Sequence, residues 1–190
     1  MKKNYLRVLS IIFIFGVLYF FNCGPQKDIV TVTFKDGAKY IGQMKVGVKQ
    51  GFGKYIWPNG DVYEGVWDHD KMQGKGVFTW ANGDRYEGQW VNDTRQGRGT
   101  MKYSNGTEYE GEWKDNKRSG QGTMIKPSGE KYTGQWKNGV QNGYGTYTWP
   151  DGSRYDGEWK NGKREGQGVM TGPDGTTERG KFLNDVFVGK

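Results

Sequence analysis

The 190-residue chain has one cysteine, Cys23, and one histidine, His69. A lone cysteine closes no disulfide within a chain, so stability has to come from packing. A lone histidine in a polar segment, with no counterpart elsewhere, reads as a solvated loop residue and gives little basis for a Ser-His-Asp set. Zinc-type clusters need several converging His or Cys ligands, and here only carboxylates remain. No stretch reaches the roughly 20 apolar residues that a membrane-spanning helix needs. No glycine-rich phosphate loop opens a helix, because the Gly-x-Gly pairs fall in strand patterns. These absences argue against an enzyme, a metal site and a bound cofactor.

What the chain does have is glycine and aromatic side chains, 33 glycines and 15% Phe, Trp and Tyr. Both follow a period of 23 residues. Tyr-x-Gly-x-(Trp/Met) starts at Tyr40, Tyr63, Tyr86, Tyr109, Tyr132 and Tyr155, with a weaker echo at Glu178, Gly180 and Phe182. Gly-x-Gly recurs from 51/53 to 166/168 in the same register, with no insertion or deletion. A fixed period of this length is the mark of a repeat architecture, and copying one unit favours a scaffold over a catalytic domain.

Within Tyr63-Glu-Gly-Val-Trp67, residues two apart share one face of a strand, which puts Tyr63, Gly65 and Trp67 together. Gly74, Gly76, Phe78 and Trp80 alternate in the same way. Each repeat is therefore two strands. Segments such as Trp136 to Gly143 and Trp159 to Gly166 read as the loops between them, and Pro58-Asn-Gly60, Ala81-Asn-Gly83 and Pro150-Asp-Gly152 as tight hairpin turns. The fold class that follows is all-β: an elongated, single-layer antiparallel sheet of tandem hairpins. Glycine beneath each ring leaves room for it to lie across a neighbouring strand, and the aromatic burial offsets the entropy that glycine costs.

Tyr86-Glu-Gly-Gln-Trp90, Tyr109-Glu-Gly-Glu-Trp113 and Tyr155-Asp-Gly-Glu-Trp159 at this spacing resemble MORN repeats, the membrane occupation and recognition nexus motif. The resemblance covers residues 28 to 190 and implies a twisted ribbon with one hairpin per repeat. The array occupies 40–190, with an incomplete last repeat. Residues 29–39 read as an N-terminal cap strand, because Phe34-Lys-Asp-Gly37 aligns with Trp57-Pro-Asn-Gly60. The integrity positions are Tyr63, Gly65 and Trp67; Tyr86, Gly88 and Trp90; Tyr109, Gly111 and Trp113; Tyr132, Gly134 and Trp136; and Tyr155, Gly157 and Trp159. A second aromatic position, at Trp57, Trp80, Tyr103 and Trp149, offers a candidate binding face, interrupted by Lys126 and Gly172.

The front end is of another kind. Lys2, Lys3 and Arg7 precede an apolar run from Val8 to Phe21, which stops at Asn22-Cys23-Gly24. This resembles a bacterial lipoprotein signal, with 1–22 as the signal peptide and 23–28 as an acylated cysteine and short tether, although Phe20 and Asn22 depart from the usual residues before the cysteine. The resemblance implies lipidation of Cys23 and a place in the bacterial cell envelope. Without residues 1–22 the chain keeps 25 basic against 21 acidic groups, a net of +4, too little for a nucleic-acid partner.

The function expected is a lipid-tethered scaffold for a protein partner, with self-association through the terminal strands as a further route. The alternatives are anionic-lipid binding by Lys114, Lys117, Arg118, Lys160, Lys163 and Arg164, and glycan stacking on the aromatic face. The series Glu64, Glu87, Glu110 and Asp156 is expected to pair with cations such as Lys75 or Arg98.

Overall fold

The computed structural model describes residues 28–190. The expected signal segment and Cys23 lie outside these residues. Fifteen strands form one open antiparallel sheet whose spatial order is the chain order, and they fall into tandem hairpins. They are β1 (Ile29–Thr33), β2 (Lys39–Lys45), β3 (Val48–Ile56), β4 (Val62–Asp68), β5 (Lys71–Thr79), β6 (Arg85–Val91), β7 (Thr94–Lys102), β8 (Glu108–Lys114), β9 (Lys117–Ile125), β10 (Lys131–Lys137), β11 (Val140–Thr148), β12 (Arg154–Lys160), β13 (Lys163–Thr171), β14 (Thr177–Leu183) and β15 (Val186–Gly189). At about 4.8 Å per strand the ribbon is on the order of 65 Å long.

The two long edges use different turns, and their assignment reverses the sequence expectation. The segments read as loops are two-residue turns with positive φ at both central positions, as at Asn138 (54°) and Gly139 (90°) or His69 (48°) and Asp70 (66°). This handedness matches the twist of the flanking strands. The Pro58-Asn59-Gly60 segments are longer. Gly60 N–H donates to Trp57 O at 3.0 Å, Trp57 N–H donates to Asp61 O at 2.9 Å, and only Gly60 takes positive φ (92°). All tight turns therefore line one edge of the sheet, and all wide turns line the other. Phe34 and Gly37 make the same wide turn, so β1 enters the sheet as the second half of a repeat strand.

Strands carry nine residues where their partners carry seven, and a bulge absorbs the excess. Gly42 pairs with Gly53, but Met44 pairs with Lys49. Gly51 sits in this bulge with φ 89°, as do its equivalents through Gly166, a conformation that side chains resist. The two glycines of each Gly-x-Gly thus have separate tasks: the first bends the strand and the second lies under a ring.

Candidate functional site

One face of the sheet carries a continuous aromatic stripe. Tyr109 lies flat over the paired Gly111 and Gly122, and its hydroxyl donates to Glu112 O at 3.0 Å. Trp113 Nε1 donates to Gly99 O of the preceding repeat at 3.0 Å. The Tyr109 ring meets Trp113 edge-on at 5.2 Å and Trp136 of the next repeat at 5.2 Å, so each tyrosine is clasped between two indoles. Tyr63, Tyr86, Tyr132 and Tyr155 repeat the arrangement with Trp67, Trp90, Trp136 and Trp159; Phe182 takes the outer indole's place beside Tyr155. The tyrosines are fully buried and the indoles nearly so. Such edge contacts add about 0.5–1.5 kcal/mol per pair beyond area burial. Burial, the leading cause, raises the phenol pKa of Tyr40, Tyr86 and Tyr155 to about 12, and that of Tyr63, Tyr109 and Tyr132 further still. With both polar atoms engaged inside the sheet, these rings hold repeat to repeat and present no open face to a ligand.

The second aromatic position forms a ledge beside the stripe, along the wide-turn edge. Trp57, Trp80, Tyr103 and Trp149 are all half-buried. Toward the N-terminal end the rings run in contact, Phe34 to Tyr55 (5.6 Å), Tyr55 to Trp57 (4.6 Å), Trp57 to Phe78 (5.1 Å) and Phe78 to Trp80 (4.5 Å). Further along, Met101 and Met124 replace the inner ring. Lys126 replaces the outer one, its ammonium 3.4 Å from the Tyr147 hydroxyl and 2.8 Å from Glu130. Tyr147 and Trp149 resume the ledge at 4.6 Å, and Gly172 ends it.

The sequence reading missed a third set. Lys49, Arg95, Arg118 and Arg164 stand nine residues after each tyrosine and place their cations over the stripe. The Arg95 guanidinium lies 4.6 Å from the Trp113 ring and that of Arg118 4.5 Å from Trp136, while Lys49 Nζ is 4.9 Å from Trp67. Arg118 Nη2 also donates to Gly139 O at 2.6 Å, and Arg164 Nη2 to Asp185 O at 2.7 Å. Arg118 and Arg164 are therefore packing residues and not the free loop cations that a lipid surface would need. The signal was in the register: Met72, Gln141 and Phe187 occupy the same repeat position.

The acidic series meets the expected cross-strand cation at Glu64 alone, from Lys54, and Glu87 and Asp156 pair within their own strands. Its ion pairs run from Lys54 to Glu64 (3.8 Å), from Arg85 to Glu87 (2.8 Å) and from Arg154 to Asp156, while Lys75 and Arg98 stand opposite Gln89 and Glu112 in the ladder. Asp70, Asp93 and Asp185 accept N–H groups from Lys49, Met72 and Arg164 of the preceding repeat, at 2.9, 2.7 and 2.8 Å. The bond from Lys49 N–H is the main reason that Asp70 stays below the usual carboxylate range. His69 sits exposed in its tight turn with Nδ1 2.8 Å from Asp68. Among the described residues, no three His, Cys, Asp or Glu side chains converge to hold a metal.

The sequence model described as MORN repeat matches six consecutive segments, residues 40–62, 63–85, 86–108, 109–131, 132–154 and 155–177. No curated protein matches the sequence. Among solved structures the chain is similar to the TCP domain of SAS-4 (dCPAP) of Drosophila melanogaster, solved in complex with a proline-rich motif of Ana2 (dSTIL). The identity is 14% over 83% of this chain and 96% of that one, with a TM-score of 0.44. It is also similar to the G-box domain of the microcephaly protein CPAP, at 14% identity over 82% of this chain and all of that one (100%), TM-score 0.36. For the TCP10 domain of Danio rerio CPAP the figures are 14%, 80% and 94%, TM-score 0.32.

Proposed function

The chain belongs to the MORN-repeat family, and from that premise we propose that it is a non-enzymatic repeat scaffold, tethered to a membrane of the bacterial cell envelope through acylated Cys23, that binds a protein partner. The observation that carries the binding reading is the ledge from Phe34 to Trp80. Phe34, Tyr55, Trp57 and Trp80 are partly exposed, are joined through the buried Phe78, and stand on a backbone fixed by the stripe. Rigid aromatic anchors of this kind lose little entropy on docking and are typical hot spots of protein interfaces. Acylation of Cys23 rests on the sequence pattern alone. Two or three acyl chains would hold stably where one binds marginally.

The test is a cross-linked capture of the full-length protein from its native envelope, read by mass spectrometry, beside Cys23→Ser and a Trp57→Ala/Trp80→Ala double variant. The expected result is one stoichiometric protein, lost with the double variant, and release of Cys23→Ser into the soluble fraction. Capture that ignores the ledge variant overturns the docking site. A Cys23→Ser protein that stays in the membrane overturns the tether.

A second reading is favoured by one feature of the tight-turn edge. Lys114 stands directly opposite Lys117, and Lys160 opposite Lys163, all four exposed. Like charges across a ladder repel, and an anionic head-group surface would relieve that cost, with each cation contributing about 1 kcal/mol. Binding to anionic vesicles that falls with added salt supports this reading; equal affinity for neutral vesicles sinks it. Self-association has its own route. Among the described residues, the outer side of β1 and the side of Thr177 to Gly180 in β14 that faces away from β13 have no strand paired to them, so copies could add strand to strand. A sedimentation coefficient independent of concentration would exclude it.

A further inference from the structure

The opposite face of the sheet is built differently toward its C-terminal half. At the middle of β9, β10 and β11 the outward side chains are Gln121, Thr123, Thr133, Gln135, Tyr144 and Thr146, none of them charged, with Lys131 and Lys137 on the same face at the two ends of β10. Two repeats earlier the positions equivalent to Gln121, Thr133 and Tyr144 hold Lys75, Glu87 and Arg98. From this uncharged centre an open recess of about 640 Å³ runs across the glycines Gly134, Gly145, Gly157 and Gly168, where the backbone itself forms the floor, toward Asp156 and Arg179, its two charged lining residues. Tyr144 stands at the recess with 64% of its surface exposed, the one aromatic side chain among the described residues that is more than half exposed. Its backbone is pinned by the Gln135 side chain, whose Oε1 accepts the Tyr144 N–H at 2.8 Å. At the far wall Asp156 is oriented by Thr146, whose hydroxyl donates to it at 2.6 Å, and by the Arg154 guanidinium.

We propose that this recess is a binding site for a neutral oligosaccharide, with Tyr144 as the platform for one sugar ring and Gln121, Thr133, Thr146, Asp156 and Gln167 as its hydrogen-bonding wall. The chemistry selects this class over others. A sugar hydroxyl both donates and accepts, and so do Thr hydroxyls and Gln amides, so either partner can adapt to the other. The axial C–H bonds of a pyranose meet the electron-rich face of a phenol ring, which needs an exposed ring and no charge. A single-stranded nucleic acid could also stack on Tyr144, but it requires a run of cations along the groove, whereas this recess is lined by one, Arg179, offset by Asp156. A protein hot spot would bury an apolar centre, and here the centre is amide and hydroxyl. The recess volume lies within the usual range of small-ligand sites, and a sheet locked from its other face is already organised for binding. The site is independent of the ledge from Phe34 to Trp80, which lies on the other face of the sheet and toward its N-terminal end.

The test is nuclear magnetic resonance titration of the isotope-labelled full chain with three neutral tetrasaccharides: β-1,4-linked glucose, β-1,4-linked N-acetylglucosamine and α-1,4-linked glucose. The expected result is saturable millimolar binding of at least one, with amide shifts confined to Gln121, Thr133, Tyr144, Thr146 and Gln167 and no dependence on salt. Tyr144→Ala should weaken that binding about tenfold or more, Tyr144→Phe should retain it because the ring and not the hydroxyl makes the stack, and Trp80→Ala should leave it unchanged. Shifts that map to the ledge, binding that survives Tyr144→Ala, or no shift from any of the three probes overturns the proposal. Tyr144 is exposed, so the variant keeps its core and loss of binding cannot be ascribed to unfolding, which a circular dichroism spectrum verifies.

Discussion

The stripe and the ledge are neighbours on one face, drawn from the same 23-residue unit, yet they tolerate variation very differently. Along the stripe, Tyr86 to Trp113, Tyr109 to Trp136 and Tyr132 to Trp159 keep the same ring distance of 5.2 Å and the same edge-on angle, 82–84°. Along the ledge, Tyr55 and Phe78 give way to Met101 and Met124, and Trp80 to Lys126. The stripe ring must fit between a glycine pair below and two indoles beside it, and its hydroxyl must reach a carbonyl. The outer ledge rings Trp57 and Trp80 pack on inner rings such as Phe78 and keep part of their surface toward water. Positions closed on every side are set by folding, and positions open on one side are free for recognition.

The largest way to break this contrast is alkaline pH. Six stripe tyrosines have phenol values raised by burial to about 12 or beyond, against an ordinary value of 10.0. Between these limits the unfolded chain releases protons that the folded chain keeps. Stability is therefore full below pH 10 and falls as pH rises from 10 through 12, by about 1.4 kcal/mol per pH unit for each tyrosine. The array should unfold, with phenolate absorbance appearing together with loss of the near-ultraviolet aromatic signal. Phenols that titrate one by one in an intact sheet would show that the stripe is not closed.

Truncation compares the two sets directly. Tyr109→Ala empties the clasp between Trp113 and Trp136 and should cost about 3–5 kcal/mol, whereas Trp80→Ala removes a half-buried ring and should cost well under half of that. Urea melts of both variants measure the difference; equal losses would erase the distinction. Gly99→Val is smaller. Its Cβ would stand 2.6 Å from Tyr86 Cζ, so the ring must lift, at about 1–3 kcal/mol. A melting curve unchanged by Gly99→Val would refute the account of the second glycine in each pair.

Much of this was legible in the sequence, because a repeat aligns with itself. Period, strand alternation and the glycine beneath Tyr63 follow from spacing alone. The turns did not follow, because Asn-Gly serves both edges: Asn138-Gly139 is the whole two-residue turn, while Asn59-Gly60 ends a longer one. What separates them is the bulge at Gly51 and its equivalents, which draws the residues before it back into the strand. Arg95 and Arg118 were legible as charges in polar segments and illegible as packing residues, because only the bulge turns them onto the indoles. Tyr144 was hidden for the opposite reason. It breaks the pattern at a position where the repeat enforces nothing, and periodicity is silent about such positions.

The smallest prediction tests whether the ledge is as permissive as its variation implies. Lys126→Trp would restore the ring that Trp80 and Trp149 supply elsewhere. The change gives up an ion pair to Glu130 and a long contact to the Tyr147 hydroxyl, both partly exposed and together contributing about 0–1 kcal/mol. It adds an aromatic pair with Tyr147, about 0.5–1.5 kcal/mol if the geometry of Trp80 on Phe78 is reproduced. These nearly cancel, so the expected shift in stability is within about 0.5 kcal/mol, read as a melting temperature that moves by no more than a few degrees. The same exchange in the stripe, Tyr109→Lys, would bury an unpaired ammonium between two indoles and should prevent the array from folding. If Lys126→Trp instead destabilises by more than about 2 kcal/mol, then Lys126 holds the ledge in register, and the wide-turn edge is as tightly specified as the stripe.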